Sequence, residues 1–247
     1  MHYDVRGSGQ PLVLLHGGMG IGSDWGLVFA ENPAGWELIV PDLRGHGRST
    51  SPASPFTFRE CAKDVLALLD HLGHQHVSAI GLSLGAKTLL HAATLEPLRI
   101  DAMVLVSAVP RFPYALRAAA ATFTNAAIER LTPAERDQLR RRHPHGDGQL
   151  QRLYEMMRSF AESHDDLSFT REQLQTISAR TLIVHGDRDP LYPVELAIEL
   201  FRGIPASALW IVPYGGHGDI FGDMAAPFVS GALAHLARGG EGHRARA

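Results

Sequence analysis

Gly81-Leu82-Ser83-Leu84-Gly85 closes an apolar run containing Val77, Ala79 and Ile80, and it opens a helix-like stretch that ends near Leu95. A serine at such a junction stands on a tight strand-to-helix turn, clear of the sheet, where the backbone is strained and neighbouring chain passes close by. Glycines two residues before and after it remove the Cβ atoms that would collide. The helix that begins just after Ser83 aims free backbone N–H groups at the same place, which favours any negative charge developing there. The pentapeptide therefore reads as a candidate nucleophile elbow.

Two more segments carry the groups such a serine needs. Thr181-Leu-Ile-Val-His185 reads as a buried strand running into Gly186-Asp187-Arg188-Asp189-Pro190, a turn with two carboxylates. Ala208-Leu-Trp-Ile-Val212 reads as another strand, followed by Pro213-Tyr-Gly-Gly-His217-Gly218. A serine hydroxyl is protonated at neutral pH, so attack on an ester needs a base within hydrogen-bond reach, and imidazole is the side chain suited to that task. Among 14 histidines, only His217 sits in a Gly-rich loop after the last strand. Asp187 and Asp189 both lie in a loop suited to orienting that imidazole. Pro190 restricts the backbone of Asp189. The chain order is serine, acid, histidine, each just past the carboxyl end of a strand.

Leu12-Val-Leu-Leu-His16-Gly17-Gly18 and Pro41-Asp-Leu-Arg-Gly-His-Gly-Arg-Ser49 complete a set of four motifs. Together they resemble the α/β-hydrolase superfamily from Tyr3 to about Leu236, most nearly its small bacterial serine esterases with a helical cap. That group also contains enol-lactonases, cofactor-free perhydrolases and carbon-carbon bond hydrolases. The resemblance implies Ser83 as nucleophile, His217 as base, and Asp189 in preference to Asp187 as the orienting acid. It also implies an oxyanion hole from the backbone N–H groups of Gly18 and Leu84, each donor contributing about 2.7 to 4 kcal/mol in the transition state. The expected reaction is hydrolysis of a small, mostly apolar carboxylic ester through an acyl-enzyme, with no cofactor and no metal. A second class of function is a small-molecule receptor of the same fold with slow turnover.

Composition agrees with one globular unit. A chain of 247 residues with 45% hydrophobic content can bury a substantial core. A net charge of −3 gives no long-range attraction for phosphate backbones or anionic lipid, so neither nucleic acid nor membrane is an expected partner. The start lacks an apolar leader and no run is long enough to span a bilayer, which points to a cytoplasmic protein. Its single cysteine, Cys61, suits a reducing compartment. Nothing in the sequence sets the oligomeric state.

The expected fold is a mostly parallel sheet of about seven strands covered on both faces by helices, an outer strand of the usual eight being missing. Strands are readable near 11–16, 37–41, 77–81, 101–107, 181–185 and 208–212, with a weaker one at 2–6. The clearest helix spans 59–72: Thr57 and Glu60 form a capping box, Val65, Leu68, Leu69 and Leu72 give one apolar face, and Gly73 stands where a left-handed cap belongs. Cys61 falls on the buried side as a small core residue.

Between 110 and 179 the strand alternation stops and helical spacing takes over, so residues 1–109 and 180–247 form the core and 110–179 an inserted helical cap over the serine. Pocket residues are expected from Met19, Trp25, Met156, Met157, Phe160 and Tyr192. His16 and His46 are expected to brace backbone, His143, His145 and Arg140-Arg141-Arg142 to lie on solvated cap surface, and Lys87 to be a partly solvated helix lysine. The tail from Gly239 reads as disordered.

Overall fold

The computed structural model describes residues 1–50 and 56–238; the tail from Gly239 lies outside the described residues. In chain order the sheet elements are β1 (Tyr3–Gly7), β2 (Gln10–Leu15), β3 (Trp36–Pro41), β4 (Val77–Leu82), β5 (Ile100–Val106), β6 (Arg180–Gly186) and β7 (Ser207–Val212). They form one sheet in the order β1-β3-β2-β4-β5-β6-β7. β1 pairs antiparallel with β3 and every other pairing is parallel. This is the α/β-hydrolase arrangement, with seven strands as the sequence implied.

Side chains alternate across the pleat, so an uninterrupted apolar strand feeds two cores at once. Leu12, Leu14, Leu38, Ile80, Val104 and Val184 enter one core with Trp25, Phe29, Phe228 and Leu236. Val13, Leu15, Ile39, Ala79, Leu105 and Ile183 enter the other. There they meet helices α1 (Phe58–Leu72), α2 (Leu84–Leu95) and, after the insertion, α8 (Val194–Gly203). The last helix, α9 (Ala225–Ala237), packs on the first face. Each fully buried Leu or Phe contributes about 1.5–3 kcal/mol, so both faces of the sheet are held firmly and its upper rim is a rigid platform.

At α1 the Thr57 hydroxyl accepts the Glu60 N–H at 3.0 Å, and Gly73 closes the helix at φ 77°. The reciprocal half of the expected capping box is absent, because the Glu60 carboxylate turns to Lys63 at 2.7 Å. Asp166 of the inserted segment instead caps the next N–H, accepting from Phe58 at 2.7 Å. Cys61 is fully buried, and burial pushes its thiol up to about 12, consistent with a core residue.

Between β5 and β6 the chain forms five helices, α3 (Tyr114–Ala120), α4 (Asn125–Glu129), α5 (Pro133–Arg142), α6 (Asp147–Ser159) and α7 (Arg171–Gln175). Leu150, Leu153 and Met156 of α6 join the helix-side core. Polar contacts tie this segment to the loops at the strand ends. Arg142 grips Asp24 through two bonds of 2.8 and 2.6 Å, and the Gln149 amide donates to the carbonyls of Gly45 and Gly47. No helix among the described residues is long and apolar enough to cross a membrane.

Candidate active site

Ser83 follows β4 with φ 49° and ψ −101°, a conformation that non-glycine residues rarely adopt. Three backbone bonds hold it there: Ser83 N–H to the Val106 carbonyl at 2.8 Å, Lys87 N–H to the Ser83 carbonyl at 3.1 Å, and Gly85 N–H to the His16 carbonyl at 3.0 Å. The flanking glycines are required by space. A Cβ on Gly81 would stand 2.6 Å from the Ala86 nitrogen, and one on Gly85 2.3 Å from the Leu15 carbonyl oxygen.

The loops after β6 and β7 are bound to each other. Arg188 N–H donates to the Gly215 carbonyl at 2.9 Å and Asp187 N–H to the Val212 carbonyl at 3.2 Å. Gly186 permits that approach, since a Cβ there would meet the Gly215 oxygen at 2.3 Å. On the far side of the histidine, Gly218 N–H donates to the Ser107 hydroxyl at 2.9 Å. His217 is therefore clamped from both flanks.

The structure brings Ser83, His217 and Asp189 into one line. The distance from His217 Nε2 to Ser83 Oγ is 2.9 Å, and from His217 Nδ1 to Asp189 Oδ2 2.7 Å. The other Asp189 oxygen accepts the N–H groups of Leu191 and Tyr192 at 2.8 and 3.0 Å. Because the carboxylate only accepts, Nδ1 carries the ring proton and Nε2 is left to accept from the serine hydroxyl. The Asp189 side chain is sealed from solvent. Burial alone would raise its pKa, but the hydrogen bond and charge of His217, with the two backbone donors, hold it below the usual carboxylate value. Asp187 lies exposed, outside this line, and its carboxylate bonds to no described residue.

Ser83 opens onto a cavity of about 270 Å³ that also receives Gly18, Leu84, Met157, Phe160 and Tyr192. The N–H groups of Gly18 and Leu84 donate to no other described residue, so both are free to meet a ligand oxygen. Met19 and Trp25 line a neighbouring cavity of about 210 Å³ instead, and Met156 packs into the helix-side core. Leu116, Leu191 and Phe221 add apolar wall to the Ser83 cavity, and none of them was expected from the sequence.

Three further expectations need correction. Lys87 is only 2% exposed, because Tyr192, Phe58 and Phe112 cover it, and it also lines the same cavity. His143 is not on the surface either. It is fully buried against the loops that follow β2 and β3, accepting the Gly47 N–H at 2.9 Å and donating to the Met19 carbonyl at 3.3 Å. Arg142 leaves the solvated basic run to pair with Asp24. Beside His143, His46 accepts the Met19 N–H at 3.3 Å and His16 accepts the Leu43 N–H at 3.0 Å, so both brace backbone.

A sequence profile described as the alpha/beta hydrolase fold matches residues 10–223. The chain belongs to the α/β-hydrolase superfamily. Among its relatives, a soluble epoxide hydrolase of Corynebacterium sp. (strain C12) is 36% identical over 110 residues, 44% of this chain and 38% of that protein. The AB hydrolase superfamily protein YisY of Bacillus subtilis is 28% identical over 238 residues, 87% of each chain. The solved 2-hydroxy-6-oxo-6-phenylhexa-2,4-dienoate hydrolase of Rhodococcus sp. strain RHA1 superposes with a TM-score of 0.78 at 21% identity, covering 96% of this chain and 94% of its own. This α/β-hydrolase thus has a soluble epoxide hydrolase among its sequence relatives and shares its fold with a dienoate hydrolase.

Proposed function

We propose that this chain is a serine hydrolase that cleaves the carboxylic ester of a small substrate through an acyl-enzyme, with carboxylesterase chemistry as the reaction class. The 2.9 Å contact between His217 Nε2 and Ser83 Oγ, at the floor of a largely apolar cavity, is the observation that carries it. Ser83 Oγ attacks the ester carbonyl as His217 takes its proton, and Asp189 stabilises the imidazolium. The carbonyl oxygen, now anionic, meets the free N–H groups of Gly18 and Leu84. The alcohol leaves with the proton from His217, and a water deprotonated by His217 then releases the acid and restores the serine. No cofactor enters this cycle. The helices of 110–179 act as the cap, with Met157 and Phe160 as its pocket face.

Labelling with a fluorophosphonate, followed by assay on short 4-nitrophenyl esters, tests the assignment. The wild type should be labelled at Ser83 and turn over repeatedly, and Ser83→Ala should lose both while melting near wild type. A well-folded Ser83→Ala protein that retains ester hydrolysis would overturn the assignment, and a single stoichiometric burst would favour a receptor.

A further inference from the structure

Lys87 is a buried amine without a counter-charge in bonding range. Its Nζ donates to the Tyr192 hydroxyl and lies 4.8, 5.4 and 5.6 Å from the ring centroids of Tyr192, Phe58 and Phe112. No carboxylate among the described residues comes within 4 Å of it. An ammonium has three donors, and only one is engaged. Asp189, whose charge acts on Lys87, is already committed to His217, Leu191 and Tyr192. Burial lowers the Lys87 pKa to about 7, the Asp189 charge working against that shift. A lysine in such a place is costly to keep protonated unless an anion pairs with it.

Its position says what that partner should be. The Lys87 N–H bonds to the Ser83 carbonyl, so the two residues are one helical turn apart on α2, a rise of about 6 Å. Both face the cavity of about 270 Å³. We propose that Lys87 is the specificity-determining anion site of this cavity, and that the substrate is an ester whose acyl chain ends in a free carboxylate, a monoester of a short dicarboxylic acid. The carboxylate pairs with Lys87 while the ester carbonyl sits over Ser83. Resting on Ser83 as the attacking group, this deepens the proposed function by naming the substrate's acyl part. The aromatic walls keep water from the pair, which makes the attraction stronger than at the surface. A neutral acyl chain leaves two N–H donors unpaired in the same place, the kind of mismatch that yields large discrimination.

The test compares mono-4-nitrophenyl glutarate with its uncharged analogue, 4-nitrophenyl glutaramate. The wild type should favour the anionic ester at least tenfold in kcat/KM, mainly through KM. Lys87→Met should reduce that ratio at least tenfold, and Lys87→Arg should retain most of it. In parallel, glutarate should bind the Ser83→Ala protein, and the Lys87→Met change on that background should weaken it at least tenfold by calorimetry. That second arm needs no turnover, so loss of hydrolysis with retained Lys87-dependent glutarate binding counts against Ser83 and not against Lys87. A wild-type ratio near one overturns the proposal even if Lys87→Met fails to fold. Equal glutarate binding with and without Lys87 overturns it as well.

Discussion

A side-chain carbon on Gly85 would stand 2.3 Å from the Leu15 carbonyl oxygen, well inside any contact that real Cβ atoms make. The start of α2 therefore rests directly on the end of β2, and Ser83 is held by that contact. Gly85→Ala must push helix and strand apart. The expected cost is about 2 kcal/mol or more, with ester hydrolysis falling further than stability because the Ser83 turn moves. Thermal melts and kcat measured together check this. A variant with wild-type melting and rate would show the contact to be compliant.

That contact also explains why the site was readable in the sequence. Ser83, Asp189 and His217 each follow a parallel strand, and strands of this kind announce themselves by short apolar runs ended by glycine. Gly81 and Gly85 mark close approach in the same local code. Lys87 was not readable, because its burial comes from Phe58, Phe112 and Tyr192, which lie far from it in the chain. Asp187 and Asp189 were left unresolved by their residues alone, since only the folded loop points one carboxylate at His217 and the other at solvent. His143 and Arg142 sit in a basic, polar stretch, and nothing local says that Gly47 and Asp24 will receive them.

The Arg142–Asp24 pair joins the inserted helices to the loop after β2, with side chains 29% and 23% exposed. Its two bonds make a forked, oriented contact. Partial solvation limits its strength to about 0.5–1 kcal/mol of coupling. A double-mutant cycle of Arg142→Met and Asp24→Asn should return that coupling in stability. Additive losses would show that the fork does not link the two segments.

His16, His46 and His143 are stacked edge to face, with ring centroids 5.0 and 6.1 Å apart. Burial lowers the pKa of all three below the ordinary 6.5, that of His143 to about 4. Each is neutral in the fold and binds a proton more readily when unfolded. Their contribution is thus complete above pH 6.5 and is lost as pH falls below it, for His143 down to about 4, at about 1.4 kcal/mol per pH unit for each histidine that titrates. Urea midpoints at pH 7.5, 6 and 5 should fall steeply, and less so in His143→Gln. A constant midpoint across that range would mean that these rings stay accessible to protons in the fold.

Asp189 and Asp187 are two residues apart, and replacing each by asparagine separates orientation from charge. In Asp189→Asn the Oδ1 position can keep the Leu191 and Tyr192 N–H groups, so the loop holds its shape. The amide nitrogen then faces His217 Nδ1 and donates where the carboxylate accepted. The ring responds by moving its proton to Nε2, and a protonated Nε2 cannot accept from Ser83. The expected loss in kcat is roughly 10⁴-fold, with KM little changed, because the wrong tautomer abolishes the base without closing the cavity. Asp187→Asn alters an exposed group outside the line and should change kcat by less than about twofold. Equal losses in the two variants would mean that the negative charge of the loop matters and its hydrogen bond to His217 does not.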